Sequence, residues 1–241
     1  MSDRLHGQKA VVVGGSSGIG LAAAAALLAA GADVVVASRS ESRLAAVRGG
    51  LGPRATTQVV DGAEETSVRA LFAATGVFDH LVIALGGGGA VGPFAELEEA
   101  RLRAAFDRKF WPFMLVARHG AARIRAGGSI TFITGAAARR VIPRMSGIAA
   151  VNGAIEAMIR PLACELAPTR VNAVSPGLID TPYWHGMPAE QREAMFAQTA
   201  RGLAVRRVGR PQEVADAILF LVTNGFTTGT VIECDGGVGL V

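Results

Sequence analysis

Short apolar stretches alternate along this chain with segments whose apolar residues recur at helical spacing. Runs of four to six residues rich in valine and isoleucine, bounded by turn residues, are typical of strands buried on both faces of a sheet. They predict seven strands, at Ala10–Val13, Asp33–Ala37, Thr57–Val60, His80–Leu85, Ser129–Ile133, Arg170–Val174 and Thr230–Glu233. Helices are predicted between the strands, at Ile19–Ala30, Ser42–Gly49, Glu64–Thr75, Glu98–Ala126, Ala149–Leu166 and Gln212–Thr223.

This alternation predicts an α/β protein built on a doubly wound, Rossmann-type parallel sheet of about seven strands, with helices on both faces. Ligands of such sheets bind at the carboxyl ends of the strands. No linker, charge block or repeat divides the 241 residues, so we expect one domain over residues 1–241.

The chain carries no charged side chain between Lys9 and Asp33. This stretch holds the first strand, the turn Gly14-Gly-Ser-Ser-Gly-Ile-Gly20 and an alanine-rich helix. A glycine-rich turn in that position aims backbone N–H groups and a helix N-terminus at a phosphate, which predicts dinucleotide binding. A membrane span is the alternative, but only about ten to twelve helical residues follow the glycines, whereas a bilayer needs roughly 17–25. We therefore expect no membrane association.

Composition narrows the partners further. Half of the residues are hydrophobic, the net charge is +4, and the arginines are scattered rather than clustered with aromatic residues. We therefore expect no nucleic-acid partner. Cys164 and Cys234 fit no metal-binding spacing, so no metal is expected, and the N-terminal sequence lacks a signal-peptide core, which favours the cytoplasm.

Several motifs together resemble the short-chain dehydrogenases/reductases, in the order and spacing of that family over nearly the whole chain. They are Gly14-x-x-x-Gly18-x-Gly20, Asp61 after the third strand, Val171-Asn172-Ala173-Val174, Ser175-Pro176-Gly177 with Thr181, and Asp235-Gly236-Gly237. The resemblance implies a nicotinamide cofactor held by Gly14, Ser16, Ser17, Gly18, Ile19, Gly20, Asp61, Gly62, Gly86, Gly87, Asn152, Pro176, Gly177, Ile179 and Thr181. Asp61 could equally cap the following helix.

The end of the second strand favours NADP(H) over NAD(H). NAD enzymes place a carboxylate about 20 residues after the glycines, where it accepts hydrogen bonds from the ribose hydroxyls. Here Ser38 and Arg39 follow the strand, and a guanidinium could bind a 2′-phosphate with charge-assisted bonds. Arg39 could instead be a solvated surface residue, and Arg43, one helical turn away, could share the contact.

The catalytic positions depart from the family pattern. The family has a serine at the end of the fifth strand, a Tyr-x-x-x-Lys pair on the next helix and an asparagine on the preceding long helix. In this chain Gly135, Ile148, Asn152 and Lys109 stand at those four positions, and the 13-residue spacing between positions 135 and 148 matches the family. The resemblance thus implies an atypical member that lacks the usual Asn-Ser-Tyr-Lys residues.

Lys109 and Asn152 look like an exchanged pair, with the lysine on the long helix and the asparagine on the next. We hypothesise that Lys109 supplies the charge beside the nicotinamide ribose and Asn152 the hydrogen bonds. Alternatively, Lys109 is a solvated lysine that extends past Phe110 and Trp111.

Other groups could replace the missing hydroxyl and the missing proton donor. Thr134, which precedes Gly135, could hold the substrate oxygen if the end of the strand were bulged. The proton could come from the only tyrosine, Tyr183, or from His185, which lie beside Trp184 in the segment of about residues 176–207 that in the family passes over the substrate. These loop residues could instead shape the pocket, which we expect to be apolar and lined by Gly135, Ile148, Trp184, Met187 and the helix Ala189–Ala200.

Three functions remain open. The first is an NADP(H)-dependent oxidoreductase acting on a small or medium apolar carbonyl, alcohol, C=N or C=C substrate, with Lys109, a loop residue or water as the proton source. The second is an NADP(H)-binding protein without redox turnover, and the third is non-redox catalysis on the same fold. The family resemblance also implies a homotetramer or homodimer joined through the two long helices and the apolar C-terminal region near Val231–Val241.

Overall fold

A single sheet of seven parallel strands organises residues 3–241, the part of the chain that the computed structural model describes. The strands are β1 (Lys9–Val13), β2 (Asp33–Ser38), β3 (Ala55–Val59), β4 (Phe78–Ile83), β5 (Ile124–Ile133), β6 (Arg170–Pro176) and β7 (Val231–Cys234). Their spatial order is β3-β2-β1-β4-β5-β6-β7, which confirms the predicted fold class. From β1 the strand order proceeds outward through β2 to β3, and from β4 it proceeds in the opposite direction to β7. A crevice is therefore expected at the carboxyl ends of β1 and β4, where the order reverses.

The described residues form eight α-helices. They are α1 (Gly18–Ala29), α2 (Glu41–Leu51), α3 (Glu65–Thr75), α4 (Glu99–Ala105), α5 (Trp111–Ala121), α6 (Ser146–Glu165), α7 (Ala189–Arg201) and α8 (Pro211–Thr223). None of these helices is both long and apolar enough to cross a bilayer.

Alternate side chains of the central strands enter two cores, one on each face of the sheet. Ala10 and Val12 of β1 pack in the core that includes α1 and α8, whereas Val11 and Val13 pack in the core that includes α3, α5 and α6. All four side chains are fully buried. Burial on both faces explains why the strands appear in the sequence as continuous apolar runs.

The predicted helix Glu98–Ala126 is wrong in two respects. The segment consists of α4, a π-helical turn at Phe106–Phe110 and α5, and it ends at Ala121. Residues from Ile124 onward belong to β5, because Ile124 pairs with Phe78 at the start of β4. Strand β4 itself begins and ends two residues earlier than the predicted His80–Leu85. Long-range strand pairing therefore overrides the local helical periodicity at this point.

His80 is a buried polar residue that links the sheet to the N-terminal segment. Its side chain lies between the Ser129 hydroxyl (Nδ1···Oγ 2.8 Å) and the Gln8 side-chain oxygen (Nε2···Oε1 2.6 Å). Burial lowers the pKa of His80 to about 4, and the positive charge of Arg170 adds to this effect while Asp79 opposes it. A neutral imidazole fits these contacts, because Nε2 can donate to Gln8 while Nδ1 accepts from Ser129.

We predict that His80 makes the protein less stable in mild acid. The unfolded chain protonates this group near pH 6.5 and the folded chain only near pH 4, so the unfolded state binds more protons in that window. The free energy of unfolding should therefore fall by about 3 kcal/mol on this account as the pH drops from 7 to 4. Urea denaturation across this range should show a shallower pH dependence for His80→Gln, whereas His185→Gln, an exposed site, should keep the wild-type dependence. Equal slopes in all three proteins would contradict the prediction.

Candidate active site

The glycine-rich turn after β1 brings two backbone segments into direct contact. A Cβ on Gly14, which has φ +89°, would overlap the Ala84 carbonyl that follows β4, and a Cβ on Gly20 would overlap the Gly14 carbonyl. The N-cap residue of α1, Ser17, makes no side-chain capping hydrogen bond, and the first turn of α1 carries no acidic residue. The free backbone N–H groups and the positive dipole end at the start of α1 suit an anionic group such as a phosphate.

Predicted cofactor residues from distant parts of the chain meet at this turn. The Thr181 side chain lies against Gly18, since its Cγ2 atom is 3.3 Å from the position that a Gly18 Cβ would take. Ile179, two residues earlier, is buried. Gly177 is held close to Asp235, whose backbone is 2.8 Å from the position of a Gly177 Cβ. The segment after β6 therefore reaches across the crevice to the start of α1.

The end of β2 is joined to the glycine turn by two buried hydroxyl groups. Ser16 Oγ donates a hydrogen bond to Ser38 Oγ at 2.8 Å, and both residues are 6% exposed. Arg39 follows with an exposed side chain, and Arg43 is also exposed on the first turn of α2. The structure thus leaves both arginines available beside Ser38.

Asp61 has a local structural role after β3. Its Oδ1 atom accepts a hydrogen bond from the Ala63 backbone at 3.0 Å, while its own N–H donates to Ser67 Oγ. These bonds shape the turn after β3, but the predicted alternative of a helix cap is wrong, because the N-cap residue of α3 is Glu64. Gly62 is buried against Leu85, whose Cδ1 atom is 3.0 Å from the position of a Gly62 Cβ.

The glycines after β4 bring two candidate functional residues to neighbouring positions. A Cβ on Gly87 would lie 2.9 Å from the Arg108 carbonyl and 2.9 Å from Lys109 Cβ. A Cβ on Gly88 would overlap the hydroxyl of Tyr183. The lack of side chains at these two glycines therefore allows Lys109 and Tyr183 to approach the same short stretch of backbone.

Lys109 is buried, so the alternative of a solvated surface lysine is wrong. It lies in the π-helical turn and is 6% exposed, with Nζ donating a hydrogen bond to the Thr134 carbonyl at 3.0 Å. The amine also lies 5.5 Å from the centre of the Phe113 ring. Burial lowers the pKa of Lys109 to about 8, against the opposing effect of the Glu156 carboxylate. π-Helical turns within α-helices occur frequently at functional sites.

The hydroxyl of Thr134 is already engaged in the structure. Its Oγ1 atom donates to Glu156 Oε1 at 2.7 Å, and it lies 3.4 Å from the Val174 carbonyl. Thr134 could therefore hold a substrate oxygen only by giving up its bond to Glu156. Gly135, the next residue, offers no hydroxyl.

Asn152 presents a buried amide to the site. It is 3% exposed, and its Oδ1 atom has no hydrogen-bond partner among residues 3–241. Its Nδ2 atom lies 2.9 Å from the position that a Cβ on Gly135 would take. Buried polar atoms are nearly always paired in folded proteins, so an unpaired amide beside the crevice fits a bound polar ligand.

The other predicted pocket residues make local contacts with their own parts of the structure. Ile148, one helical turn before Asn152 on α6, packs against an apolar cluster around Ala90, Ala105 and Val151. Trp184 Nε1 donates to the Ile179 carbonyl at 2.9 Å, and its ring contacts Tyr183 edge-on.

Tyr183 is 65% exposed, His185 is exposed and Met187 is half-buried. These three residues lie on or beside the short 3-10 turn at Pro182–Gly186. No hydrogen bond within the described part of the chain connects His185 to Lys109 or Asn152, so its proposed proton role stays a prediction.

Sequence reasoning missed two polar residues at the site. Ser175 Oγ is fully buried at the end of β6 and lacks a partner in the described chain. Glu156 binds Thr134 and also accepts a hydrogen bond from Arg139 Nε at 2.6 Å. The signal for Glu156 was its spacing, because it follows Asn152 by four residues and therefore lies on the same face of α6.

Comparison with known proteins gives matches over nearly the full length. The family model described as enoyl-(acyl carrier protein) reductase matches residues 13–239. Short-chain dehydrogenase/reductase ATR9 of Stachybotrys chlorohalonatus is 31% identical, over 97% of each chain. Cis-4-hydroxycyclohexanecarboxylate dehydrogenase of Sinomonas cyclohexanicum is 33% identical, over 98% of each chain.

A solved structure is similar both in sequence and in fold. It is the NADPH-bound short chain oxidoreductase from Pseudomonas aeruginosa PAO1, described as containing an atypical catalytic center. It is 33% identical, with a TM-score of 0.88, over 97% of this chain and 96% of that one.

We predict that Gly14→Ala disrupts the glycine turn. The new Cβ would overlap the Ala84 carbonyl and would require a positive φ, so the free energy of unfolding should fall by roughly 2 kcal/mol or more and NADPH binding should be lost. Thermal unfolding and NADPH fluorescence titration measure the two effects. Gly49→Ala in α2 is the matched control, since nothing beyond the local helix backbone lies within 4 Å of its Cβ position, and it should retain both binding and stability. Wild-type behaviour of Gly14→Ala would refute the close contact.

Proposed function

The chain belongs to the short-chain dehydrogenase/reductase family, and from that premise we propose that it is an NADP(H)-dependent oxidoreductase in which Lys109 is the proton donor. The substrate class is a small or medium apolar carbonyl compound or the corresponding alcohol. The observation that carries the proposal is the buried amine of Lys109 at the end of β5, bound to the Thr134 carbonyl beside the unpaired amide of Asn152.

Three features of the crevice support binding of the cofactor. The glycine turn and the start of α1 would hold its pyrophosphate, and the Asn152 amide would bind a ribose hydroxyl. Arg39, exposed beside the buried Ser38, would bind a 2′-phosphate. The relative from Pseudomonas aeruginosa binds NADPH and also has an atypical catalytic centre, which agrees with NADP(H) as the cofactor.

The reaction centre needs a proton source other than a tyrosine on α6. A bound nicotinamide supplies the hydride in reduction and accepts it in oxidation. The chain must then deliver a proton to the substrate oxygen, and Ile148, at the position of the family's tyrosine, has none to give. The Lys109 ammonium is buried in the same region, and its pKa of about 8 lies close to neutral pH, where a general acid is most effective.

The walls of the crevice favour an apolar substrate. Ile148 belongs to an apolar cluster with Leu97, Leu102, Phe106 and Phe110, and we propose that Trp184 and Met187, on or beside the 3-10 turn after β6, add further apolar surface to the pocket. One relative is named as a dehydrogenase of cis-4-hydroxycyclohexanecarboxylate, an alicyclic alcohol that also carries a carboxylate. This name supports an alcohol and ketone pair as the substrate class for the present chain.

A second function is favoured by the bond between Thr134 and Glu156. Because Glu156 engages the Thr134 hydroxyl, the hydroxyl next to Gly135 is not free to orient a substrate oxygen. This arrangement would suit a protein that binds NADP(H) without turnover. The two functions differ in a direct assay that measures NADPH binding by fluorescence and then NADPH oxidation with ketones, imines and quinones. Turnover supports the enzyme, binding without turnover supports the second function, and the absence of binding contradicts both.

We predict that Arg39→Ala weakens NADPH binding by roughly 10- to 100-fold and leaves NADH binding nearly unchanged. The reason is that a charge-assisted bond to the 2′-phosphate contributes roughly 1.5–3 kcal/mol and NADH lacks this phosphate. Fluorescence titration with both cofactors measures the ratio. Arg43→Ala tests the neighbouring guanidinium, and Arg48→Ala, whose side chain binds Thr57, is the control that should change neither affinity. An unchanged ratio in both Arg39→Ala and Arg43→Ala would argue against a 2′-phosphate site.

We predict that Lys109→Met lowers kcat/KM for reduction by roughly 100-fold or more but increases stability at pH 7. The wild-type fold keeps an ammonium group buried, and a pKa of about 8 instead of 10.5 corresponds to a cost of up to about 3 kcal/mol. In the wild type, kcat/KM for reduction should be level below pH 8 and should fall tenfold per pH unit above it, because the protonated amine is the active form.

The chain offers a matched control for this variant, because its two lysines are Lys9 and Lys109. Lys9 binds the Thr75 carbonyl at the opposite end of the sheet, so Lys9→Met should keep both the rate and the pH profile. Full activity in Lys109→Met would show that another group donates the proton.

A further inference from the structure

Glu156 lies at the centre of a set of contacts that leads from Lys109 to the protein surface. Thr134 connects the two charged residues, since its carbonyl accepts from Lys109 Nζ at 3.0 Å and its hydroxyl donates to Glu156 Oε1 at 2.7 Å. The second carboxylate oxygen of Glu156 accepts from Arg139 Nε at 2.6 Å. Both oxygens of this carboxylate are therefore engaged, one on each side.

Near the protein surface, this set of contacts continues as ion pairs. Arg139 also lies 3.6 Å from Glu233 of β7, and Arg140 pairs with both Glu233 and Asp235. Together with Lys109 and Glu156, these residues provide three positive and three negative charges. Removing any one charge therefore leaves a net charge in this group.

Glu156 and Asp235 are the two buried carboxylates of this set, and Glu156 is the one that bonds to Thr134. The Glu156 side chain is 8% exposed and that of Asp235 is 6% exposed, compared with 38% for Arg139 and 33% for Glu233. The Glu156 carboxylate is therefore the buried negative charge on the Thr134 side of the set. It lies on α6, one turn after Asn152, at a position where its charge acts on a buried ammonium group across Thr134. Charges that are shielded from water interact more strongly than exposed ones, because screening is weaker there.

We propose that Glu156 is a positioning residue for Lys109: through Thr134 it fixes the end of β5 that receives the amine, and its negative charge stabilises the ammonium form. This inference rests on the proposed function, in which Lys109 donates the proton. According to this inference, the protonation state of Lys109 is controlled by a side chain that does not itself contact the substrate.

Other groups around Lys109 leave Glu156 as the buried negative charge that faces it. The glycines after β4 present backbone only, β5 presents the Thr134 carbonyl, and α6 presents Asn152 and Glu156. The neighbouring Asp107 and Arg108 of the π-helical turn are exposed, as is the Tyr183 side chain over Gly88. Arg139 lies beyond Glu156 and opposes its effect on the amine.

The test measures the protonation of Lys109 directly. Because the chain has two lysines, a protein labelled with ¹³C at the lysine Cε atoms gives two signals, and Lys109→Met identifies which one belongs to Lys109. A pH titration followed by NMR then reports the pKa of Lys109 without any need for turnover. The same proteins are assayed for the pH dependence of kcat/KM in reduction.

Glu156→Gln keeps the size of the side chain and its acceptor for Thr134 but removes the charge. We expect the pKa of Lys109 to fall by about 0.5–1.5 units and the alkaline limb of kcat/KM to move to lower pH by the same amount. Glu156→Asp retains the charge and should bring back part of the shift. Glu165→Gln is the control, because this substitution removes the same charge from an exposed position of α6 and should leave the pKa of Lys109 unchanged.

Arg139→Met provides a change in the opposite direction. Removing the guanidinium that competes for Glu156 should raise the pKa of Lys109, and this half-exposed side chain can be replaced with little risk to folding. If both Glu156→Gln and Arg139→Met leave the Lys109 titration unchanged, the proposal is overturned, and Arg139→Met alone decides the question if Glu156→Gln fails to fold. If the NMR titration shifts but the pH dependence of kcat/KM does not follow, the role of Glu156 stands and Lys109 is not the proton donor.

Discussion

The close approach of two backbone segments at Gly14 is the constraint on which the remaining site depends. Residue 14 lies directly against the Ala84 carbonyl, and Gly20 lies against Gly14, so the start of α1 is drawn down onto the carboxyl ends of β1 and β4. This contact creates the anion site at the helix N-terminus. It also leaves room for Thr181 to reach Gly18 from the other side of the crevice. Any side chain at Gly14 or Gly20 would separate these segments.

A buried ammonium group gives this site its chemical character. Lys109 lies inside the protein, and burial of a charge without a direct ionic partner destabilises the fold. Such a cost is understandable at a functional site, where stability is often traded for activity. The contacts through Thr134 to Glu156, and from Glu156 to Arg139, offset part of it and hold the amine in one position. In the proposed function, the same contacts hold the amine that takes the place of the missing tyrosine hydroxyl.

Much of the fold followed from the sequence, and the errors have a common cause. The seven strands and the glycine turn were predicted because each depends on a local pattern of apolar residues, glycines and turns. The helix predicted at Glu98–Ala126 was wrong because its last part pairs with β4, and this contact joins residues far apart in sequence. The alternative of a solvated Lys109 was wrong for a related reason, since its burial comes from the packing of β5, α6 and the glycines around it.

The sequence by itself determined the order of the seven strands, the glycine-rich turn after β1 and the absence of a tyrosine at position 148. These features depend on residues that are close together in the sequence, so local backbone preferences suffice to determine them. Only the tertiary structure decided that Lys109 is buried, that Glu156 connects it to Arg139, and that Tyr183 lies over Gly88. Each of these contacts joins segments that are separated along the chain, so their charges and hydrogen bonds meet only when the sheet has assembled.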